Sequence, residues 1–143
     1  MLVNDRVDVA LAAHAGGAQL GRLSIPVAAA RRILGGEARI GYSAHAADEA
    51  EAAAREGADF VVLGTIYATP SHPGEPGAGV ERIREMAPRV NVPVIAIGGM
   101  TPQRVPEVLA AGAHGIAVLR GVWNDTDPIA AIHRYLAALE GRA

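Results

Sequence analysis

Short apolar runs alternate along the chain with alanine-rich segments of helical composition, and glycine or polar residues separate them. The runs at 60–63 (FVVL) and 92–97 (VPVIAI) are continuous, which is typical of strands buried on both faces. The alanine-rich segments at 48–55 and 102–111 are followed closely by a glycine, as many helices are. Strict alternation of strand and helix with short connections predicts one parallel sheet with right-handed crossovers.

Six strand–helix units follow from this pattern. The predicted strands lie at 2–3, 18–20, 38–42, 60–63, 92–97 and 115–119, and the predicted helices at 6–15, 24–34, 48–55, 80–87, 102–111 and 127–139, with Ser24 as the N-cap of the second helix. A closed barrel of such units has eight of them in about 250 residues. We therefore expect an α/β fold, a TIM (β/α)8-type barrel represented by a truncated six-unit parallel fragment. Residues 1–143 would form this single partial domain, with two units missing at the N-terminus.

The composition narrows the class of protein. Half of the 143 residues are hydrophobic but only 3% are aromatic, so the core must consist of Ala, Val, Ile and Leu. A net charge of −2 without a basic run argues against a nucleic-acid or anionic-membrane partner. No apolar stretch reaches the length of a membrane span. The absence of cysteine excludes disulfides and thiolate metal sites, and it fits a cytoplasmic protein.

The turn after the fifth predicted strand is the strongest candidate for a ligand site. Gly98 and Gly99 allow a tight turn with bare backbone N–H groups, and a helix start at 101–102 follows. The sixth strand also ends in a glycine turn, beside Arg120. In barrels of this type, phosphate groups often bind at the loops after the last two strands. The two turns therefore predict a phosphate clamp.

A long loop at 66–79, with the sequence IYATPSHPGEPGAG, follows the fourth predicted strand. Its three prolines and three glycines exclude regular structure, and a loop of this length in a compact domain is usually functional. It adds Thr69, Ser71 and His72 to the candidate site residues.

Six blocks of the sequence resemble, in order, those of the family that contains thiamine phosphate synthase and the thiazole tautomerase TenI. The blocks are LVND, AHAGGAQLG, IGYSAH, GADFVVLGTIYATPSHPG, VPVIAIGG and GAHGIAVLRG. The resemblance covers nearly the whole chain and implies an eight-stranded barrel, of which strands three to eight are present. The synthase joins an aminopyrimidine diphosphate to a thiazole phosphate, and magnesium stabilises the departing pyrophosphate. TenI moves a proton on a thiazole carboxylate phosphate and needs no metal.

The resemblance also implies roles for individual residues. Asp5 would bind magnesium, Asn4 would contact the diphosphate, and Ser43 matches a serine on the pyrimidine side. Thr69 and Ser71 match a Thr-x-Thr pair that holds phosphate oxygens. The remaining matches on the thiazole-phosphate side are Gly98, Gly99 and the pair Leu119-Arg120, which lies where the family usually carries Ile/Val-Ser.

Departures from the family pattern weaken the synthase assignment. The fourth-strand block usually reads His-x-Gly-Gln-x-Asp and ends in a second magnesium ligand, but here the segment 19–24 gains Arg22 and ends in Ser24. A hard cation prefers oxygen ligands, so this site loses strength. His72 stands in place of an expected lysine and carries full positive charge only at acidic pH. The Arg and Lys of the absent second strand are missing as well.

These departures make a TenI-like thiazole tautomerase the slightly favoured function. Thr65 occupies the position of the TenI catalytic histidine, and His72 is the candidate proton shuttle, because imidazole titrates near neutral pH. His72 is equally well explained as a loop histidine that faces the phosphate. With Ser43, these residues form the predicted catalytic set. The alternatives are thiamine phosphate synthase, a non-catalytic or remnant phosphate-binding protein and, more weakly, another phosphate-binding barrel.

Cofactor and partner follow from the same alternatives. Magnesium is expected only if synthase activity is retained, and the expected small-molecule partner is a phosphorylated thiazole. An open parallel sheet exposes two apolar edges, which natural proteins avoid. We therefore expect either a homo-oligomer or a preceding N-terminal segment to cover them.

Overall fold

The six predicted strands form one parallel sheet, in which the order of the strands is their order in the chain. The computed structural model describes residues 1–71, 73–74 and 76–141. The strands are β1 (Val3–Asn4), β2 (Gly17–Leu20), β3 (Arg39–Ala44), β4 (Phe60–Leu63), β5 (Val94–Ile97) and β6 (Gly115–Ala117). The register places Ser43 beside Val62, and Ile97 beside Ala117. The predicted six-unit α/β fragment is confirmed.

Helices follow each strand, and two short 3-10 segments join them. The helices are α1 (Val7–Ala12), α2 (Val27–Leu34), α3 (Ala47–Arg55), α4 (Glu81–Met86), α5 (Val105–Ala110), α6 (Arg120–Trp123) and α7 (Pro128–Leu139). The 3-10 segments are Ala87–Arg89, before β5, and Pro102–Arg104, before α5. The helix that was predicted at 102–111 therefore begins as a 3-10 turn, and α6 was not predicted at all.

The second helix begins later than the sequence predicts. It starts at Val27 after an extended Pro26, and Ser24 is not its N-cap. The Ser24 hydroxyl instead accepts a hydrogen bond from the Gly21 N–H at 2.8 Å and donates one to the Asp5 carboxylate. The side chain that would have capped the helix is thus used at the carboxyl end of the sheet.

The core divides into two clusters of buried apolar side chains. The larger cluster packs around β4 and β5 and includes Leu63, Ile83 and Val105. The smaller cluster packs around β2 and β3 and includes Leu20 and Ile40. Apart from the tyrosine Tyr135, no residue with a polar or charged side chain is buried in the part of the chain that the structure describes. The fold therefore rests on apolar packing, and the polar chemistry is confined to the two ends of the sheet.

An ion-pair network closes the amino end of the sheet. The Asp59 carboxylate accepts hydrogen bonds from the Arg31 guanidinium at 2.6 Å, from the Ile40 N–H at 2.7 Å and from Arg39 at 3.3 Å. Burial alone would raise the pKa of Asp59, but the hydrogen bonds from Ile40 and Arg31 outweigh it and lower the pKa below its usual value. This end of the sheet is opposite the carboxyl ends of the strands, where ligands bind in such folds, so we interpret the network as stabilising the fold.

Both outer strands have one neighbour only among the described residues, since β1 pairs with β2 and β6 pairs with β5. Helix α7 packs against α5 and α6 and exposes an apolar row on its other side. The members of this row are Ile129, Ile132, Leu136 and Leu139.

Within the described residues, no helix combines the length and apolarity that crossing a membrane requires.

Candidate functional site

The carboxyl ends of β4, β5 and β6 surround a cavity of about 540 Å³, which we call the rim pocket. Its walls are the loop after β4, the turn after β5 and the segment after β6. The predicted site residues that line it are Thr65, Thr69, Ser71, Gly98, Gly99, Leu119 and Arg120. The two turns that the sequence predicts as a phosphate clamp therefore face the same cavity.

The turn after β5 depends on its two glycines. Gly98 and Gly99 have φ angles of 102° and 61°, in the left-handed region that favours glycine. A Cβ atom at Gly98 would lie 2.6 Å from Thr65 Cγ2, and one at Gly99 would lie 2.8 Å from the Ala68 carbonyl oxygen. Only glycine lets this turn lie directly against the loop after β4, so the turn is closely packed on one side and open to the rim pocket on the other.

Arg120 lies at the start of α6 and lines the rim pocket. Its side chain is exposed and has no ion-pair partner in the part of the chain that the structure describes. Arg120 is also the one ionisable residue among the described residues that line this pocket. A cavity with a single uncompensated cation attracts an anionic ligand.

The loop after β4 supplies hydroxyl groups to the rim pocket. Thr69 and Ser71 lie together, and the Ser71 N–H donates to Thr69 Oγ1 at 3.4 Å. Thr65 is half-buried against Gly98. His72 lies outside the described residues, so its proposed role as a proton shuttle stays a prediction.

A second cavity of about 510 Å³, which we call the mouth pocket, adjoins the first and shares Ile97 and Ala117 with it. Its polar lining residues are Asn4, Asp5, Gln19 and Ser43. The Gln19 side-chain amide donates to Ser43 Oγ at 2.9 Å and so fixes that hydroxyl. The predicted catalytic set is therefore divided, because Ser43 lines the mouth pocket while Thr65 lines the rim pocket.

Asp5 is the one carboxylate among the described residues that line the mouth pocket. It accepts a hydrogen bond from the hydroxyl of Ser24, the residue that stands where the resemblance expects a second carboxylate. Over the described residues, no cluster of three or more His, Cys, Asp or Glu side chains could hold a metal ion. Magnesium is usually bound by one or two carboxylates together with phosphate oxygens and water. Asp5 alone among these residues could offer a carboxylate oxygen to a magnesium ion, so such an ion would need most of its ligands from a bound phosphate group and water.

Two side chains at the site were not found from the sequence. Arg104 Nη1 donates to the Gly99 carbonyl at 2.5 Å, and Tyr135 Oη donates to the Met100 carbonyl at 2.9 Å. Burial raises the pKa of Tyr135 above its usual value, which already lies well above neutral pH, so the hydroxyl is protonated. Both residues lie in segments predicted as helical, where no local pattern distinguishes a residue that contacts the turn from a residue that faces solvent.

Comparison with known proteins finds relatives that are named for thiamine biosynthesis. The model of the thiamine monophosphate synthase family matches residues 1–122. A putative thiamine-phosphate synthase of Geobacter sulfurreducens is 42% identical over 144 aligned positions, which cover 99% of this chain and 67% of that protein. The thiamine biosynthesis bifunctional protein ThiM/ThiE of Symbiobacterium thermophilum is 48% identical over 138 positions, which cover 95% of this chain and 28% of that protein. The chain therefore spans 67% of the length of the first relative and 28% of the length of the second.

Solved structures agree with the sheet described above. The chain superposes on thiamine phosphate pyrophosphorylase from Pyrococcus furiosus with a TM-score of 0.87 and 35% identity, and the match covers 99% of this chain and 67% of that one. It also superposes on 3-hexulose-6-phosphate synthase with a TM-score of 0.73, although that protein is only 21% identical and shows the fold alone.

Proposed function

Because the chain belongs to the thiamine monophosphate synthase family, we propose that it binds a thiazole phosphate in the rim pocket and takes part in the synthase reaction. This reaction couples hydroxymethylpyrimidine diphosphate to the thiazole phosphate and releases pyrophosphate. The sequence had slightly favoured the TenI-type tautomerase, and the comparisons do not support that preference. The relative from Geobacter is named a putative thiamine-phosphate synthase, and those from Thermosynechococcus and Salinispora are named thiamine-phosphate synthases.

The observation that carries the proposal is the single cavity shared by the turn after β5 and the start of α6. Gly98 and Gly99 line this cavity, the Gly99 N–H has no acceptor among the described residues, and Arg120 contributes a cation to the same cavity. A phosphate group matches both, because its oxygens accept several hydrogen bonds and its charge pairs with a guanidinium. Thr69 and Ser71 add hydroxyl donors at the same rim.

The adjoining mouth pocket favours a reaction with two substrates. It lies next to the rim pocket and carries amide, hydroxyl and carboxylate groups from Asn4, Gln19, Ser43 and Asp5. A coupling reaction needs two ligands held side by side with their reacting atoms in contact. An isomerisation needs only one ligand, and it would leave this second polar cavity without a role.

Coupling makes smaller demands on the ionisable residues than isomerisation does, whose candidate proton shuttle, His72, lies outside the described residues. The described lining residues of the two pockets include only two ionisable side chains, Asp5 and Arg120. Moving a proton on a thiazole requires a general base that is within reach and titrates near neutral pH. Forming the bond between the two rings transfers no proton, because the thiazole nitrogen already carries the lone pair that forms it.

In the proposed reaction, the C–O bond between the pyrimidine methylene and the diphosphate breaks, and its electron pair leaves with pyrophosphate. The thiazole nitrogen then gives its lone pair to the methylene carbon, and a C–N bond forms. Asp5 would hold a magnesium ion, and that ion would supply positive charge to the leaving pyrophosphate. The role of this chain is to orient the partners, with Arg120 and the glycine turn holding the thiazole phosphate and Asn4 and Ser43 contacting the diphosphate compound.

The proposal is tested by titrating the chain with thiazole phosphate and with inorganic phosphate in a calorimeter. We expect both to compete for one site, and Arg120→Gln to weaken them by about three- to tenfold through the loss of a charge-assisted contact. The matched control is Arg55→Gln, since Arg55 is an exposed arginine at the far end of α3. Equal affinities in wild type and Arg120→Gln would contradict the proposed site.

The reaction type is tested by pyrophosphate release in the presence of both substrates. We expect release that requires magnesium and stops in chelator. Conversion of a thiazole carboxylate phosphate to its aromatic isomer in chelator would instead support the tautomerase function. If no turnover occurs although thiazole phosphate binds, the chain is a binding protein of the same family.

We also propose that another polypeptide segment or a second copy covers the open edges of the sheet in the active protein. The support is the single neighbour of β1 and of β6 within the described chain, together with the exposed apolar row of α7. Closed barrels of this type have eight strands. Light scattering on the purified chain distinguishes the two occupants, since a second copy doubles the mass of 14.7 kDa.

A further inference from the structure

Three consecutive carbonyl groups of the turn after β5 are each held by a different part of the fold. One bond comes from the backbone of the loop after β4, the second from the 3-10 segment before α5 and the third from α7. The bonds run from the Tyr67 N–H to the Gly98 oxygen at 3.1 Å, from Arg104 Nη1 to the Gly99 oxygen at 2.5 Å, and from Tyr135 Oη to the Met100 oxygen at 2.9 Å.

The geometry of the peptide group turns these three bonds into a constraint on the N–H groups. In a planar trans peptide, the carbonyl and the following N–H point in opposite directions. Holding the three carbonyls towards the protein therefore directs the N–H groups of Gly99, Met100 and Thr101 the other way. None of these N–H groups has an acceptor among the described residues, and all three residues line the rim pocket.

From this geometry we propose that Arg104 and Tyr135 are positioning residues, which aim the amides of the turn after β5 at the anion in the rim pocket. The identity of that anion as a thiazole phosphate rests on the proposed function, whereas the orientation of the amides does not. An anion site built from donors that are already aimed loses little free energy to reorganisation when the ligand binds.

Arg104 is itself held in place. Its guanidinium carbon lies 4.2 Å from the centre of the Tyr67 ring, and the Tyr67 hydroxyl donates to Glu107 Oε2 at 2.9 Å. A planar guanidinium can stack on an aromatic ring and donate a hydrogen bond at its edge at the same time, which an ammonium group does less well. The stacked ring therefore fixes the direction in which Arg104 donates to Gly99.

Tyr135 connects the two walls of the rim pocket. Its side chain is only 7% exposed, and its hydroxyl donates to the Met100 carbonyl of the turn after β5. The same hydroxyl lies against Gly121 in α6, where a Cβ atom would be 2.1 Å away. One buried hydroxyl thus sets the spacing between the bare amides and the helix turn that carries Arg120.

The variant Tyr135→Phe tests the proposal, because it removes the hydroxyl and keeps the ring. Tyr42→Phe is the matched control, since Tyr42 is a half-buried tyrosine on β3 that lines neither pocket. In ligand-free protein, we expect Tyr135→Phe to shift the amide resonances of Gly99, Met100 and Thr101. We also expect it to weaken binding of inorganic phosphate by about tenfold, because the misdirected turn would lose one amide hydrogen bond to the charged phosphate.

Arg104 supplies an independent arm of the test. Arg104→Met should shift the same resonances and weaken phosphate binding, and Arg104→Lys should restore part of the affinity because its ammonium can still donate to Gly99. A merely structural role would lower the unfolding temperature without this rescue. If Tyr135→Phe does not fold, Arg104→Met and Arg104→Lys still test the proposed positioning role.

Two outcomes overturn the proposal. The first is a folded Tyr135→Phe or Arg104→Met protein with unchanged amide resonances and unchanged phosphate affinity. The second is an equal loss of affinity in Tyr42→Phe. If the wild-type chain binds phosphate but not thiazole phosphate, the proposed substrate is wrong while the positioning role stands.

Discussion

Replacing Gly99 by alanine should damage the turn after β5 more than replacing a glycine of the same backbone conformation elsewhere. Gly99 has a φ of 61°, and Gly79 has a φ of 72°. A Cβ atom at Gly99 would lie 2.8 Å from the Ala68 oxygen and 2.8 Å from Tyr67 Cβ, whereas a Cβ atom at Gly79 has nothing within 4 Å. The two substitutions share the cost of the left-handed conformation and differ in the close approach.

The expected magnitudes follow from these contacts. The left-handed conformation costs an alanine about 1–2 kcal/mol at either position. Forcing a methyl group against a backbone oxygen and a packed side chain adds about 1–3 kcal/mol at Gly99 alone. The free energy of unfolding should therefore be about 1–3 kcal/mol lower for Gly99→Ala than for Gly79→Ala, which corresponds to a difference of about 3–9 °C in the midpoint of thermal unfolding at this chain length.

Urea denaturation followed by circular dichroism measures this difference, and phosphate titration of the folded variants measures its effect on the site. We expect Gly79→Ala to bind phosphate like the wild type and Gly99→Ala to bind it at least about tenfold more weakly, since the amide of residue 99 moves with the turn. If both variants lose the same stability and both keep phosphate binding, the close packing of the turn against the loop after β4 is not what shapes the site.

Further variants probe the rest of the molecule. Asp59→Asn should lower the free energy of unfolding at neutral pH by about 1–3 kcal/mol, because it removes the charged acceptor of Arg31. The folded-state pKa of Asp59 is lowered, so its contribution is present above the unfolded value of about 3.9 and is lost as the pH falls through the folded value. Urea titrations should therefore show a shallower loss of stability on acidification in Asp59→Asn than in wild type, and parallel curves would refute this. Gly121→Ala should destabilise the chain by about 1–3 kcal/mol. It should cost less in a Tyr135→Phe background, because the hydroxyl oxygen that would lie 2.1 Å from the new methyl group is absent there. Additive effects of the two substitutions would show that the two side chains are not in contact. Asp5→Asn should raise the magnesium concentration needed for pyrophosphate release and leave phosphate affinity in the rim pocket unchanged.

Most of the fold could be predicted from the sequence because each strand and helix is encoded by its own local pattern of apolar and turn residues. The run FVVL at 60–63 is a strand in the structure with the same bounds, and the continuous apolar run before Gly98 contains β5. Helix starts were less predictable. Ser24 has the residue type of an N-cap, yet its hydroxyl contacts Gly21 and Asp5, which the local pattern does not place nearby.

The candidate site was predictable where it is made by backbone and turn chemistry. Gly98 and Gly99 signal a turn through their residue type, and they do line a cavity with Arg120. The contacts of Arg104 and Tyr135 depend on how a 3-10 segment and the last helix pack against that turn, so no residue spacing encodes them. The short helix α6 at 120–123 was not predicted either, because the glycine at 121 suggested only a turn.

The division of the core into two clusters has a consequence for how the molecule responds to its ligands. The rim pocket stands over the larger cluster, whereas Asn4 and Gln19 of the mouth pocket belong to strands that pack on the smaller one, and Tyr42 packs against both. Occupying the rim pocket should therefore slow hydrogen exchange mainly in β4, β5 and β6, whereas occupying the mouth pocket should slow it in both halves of the sheet, because Val62, Ile97 and Ala117 also line that pocket. In the proposed reaction, the distance between the two substrates would then depend on β3, because its residues Ile40 and Ala44 pack into different clusters.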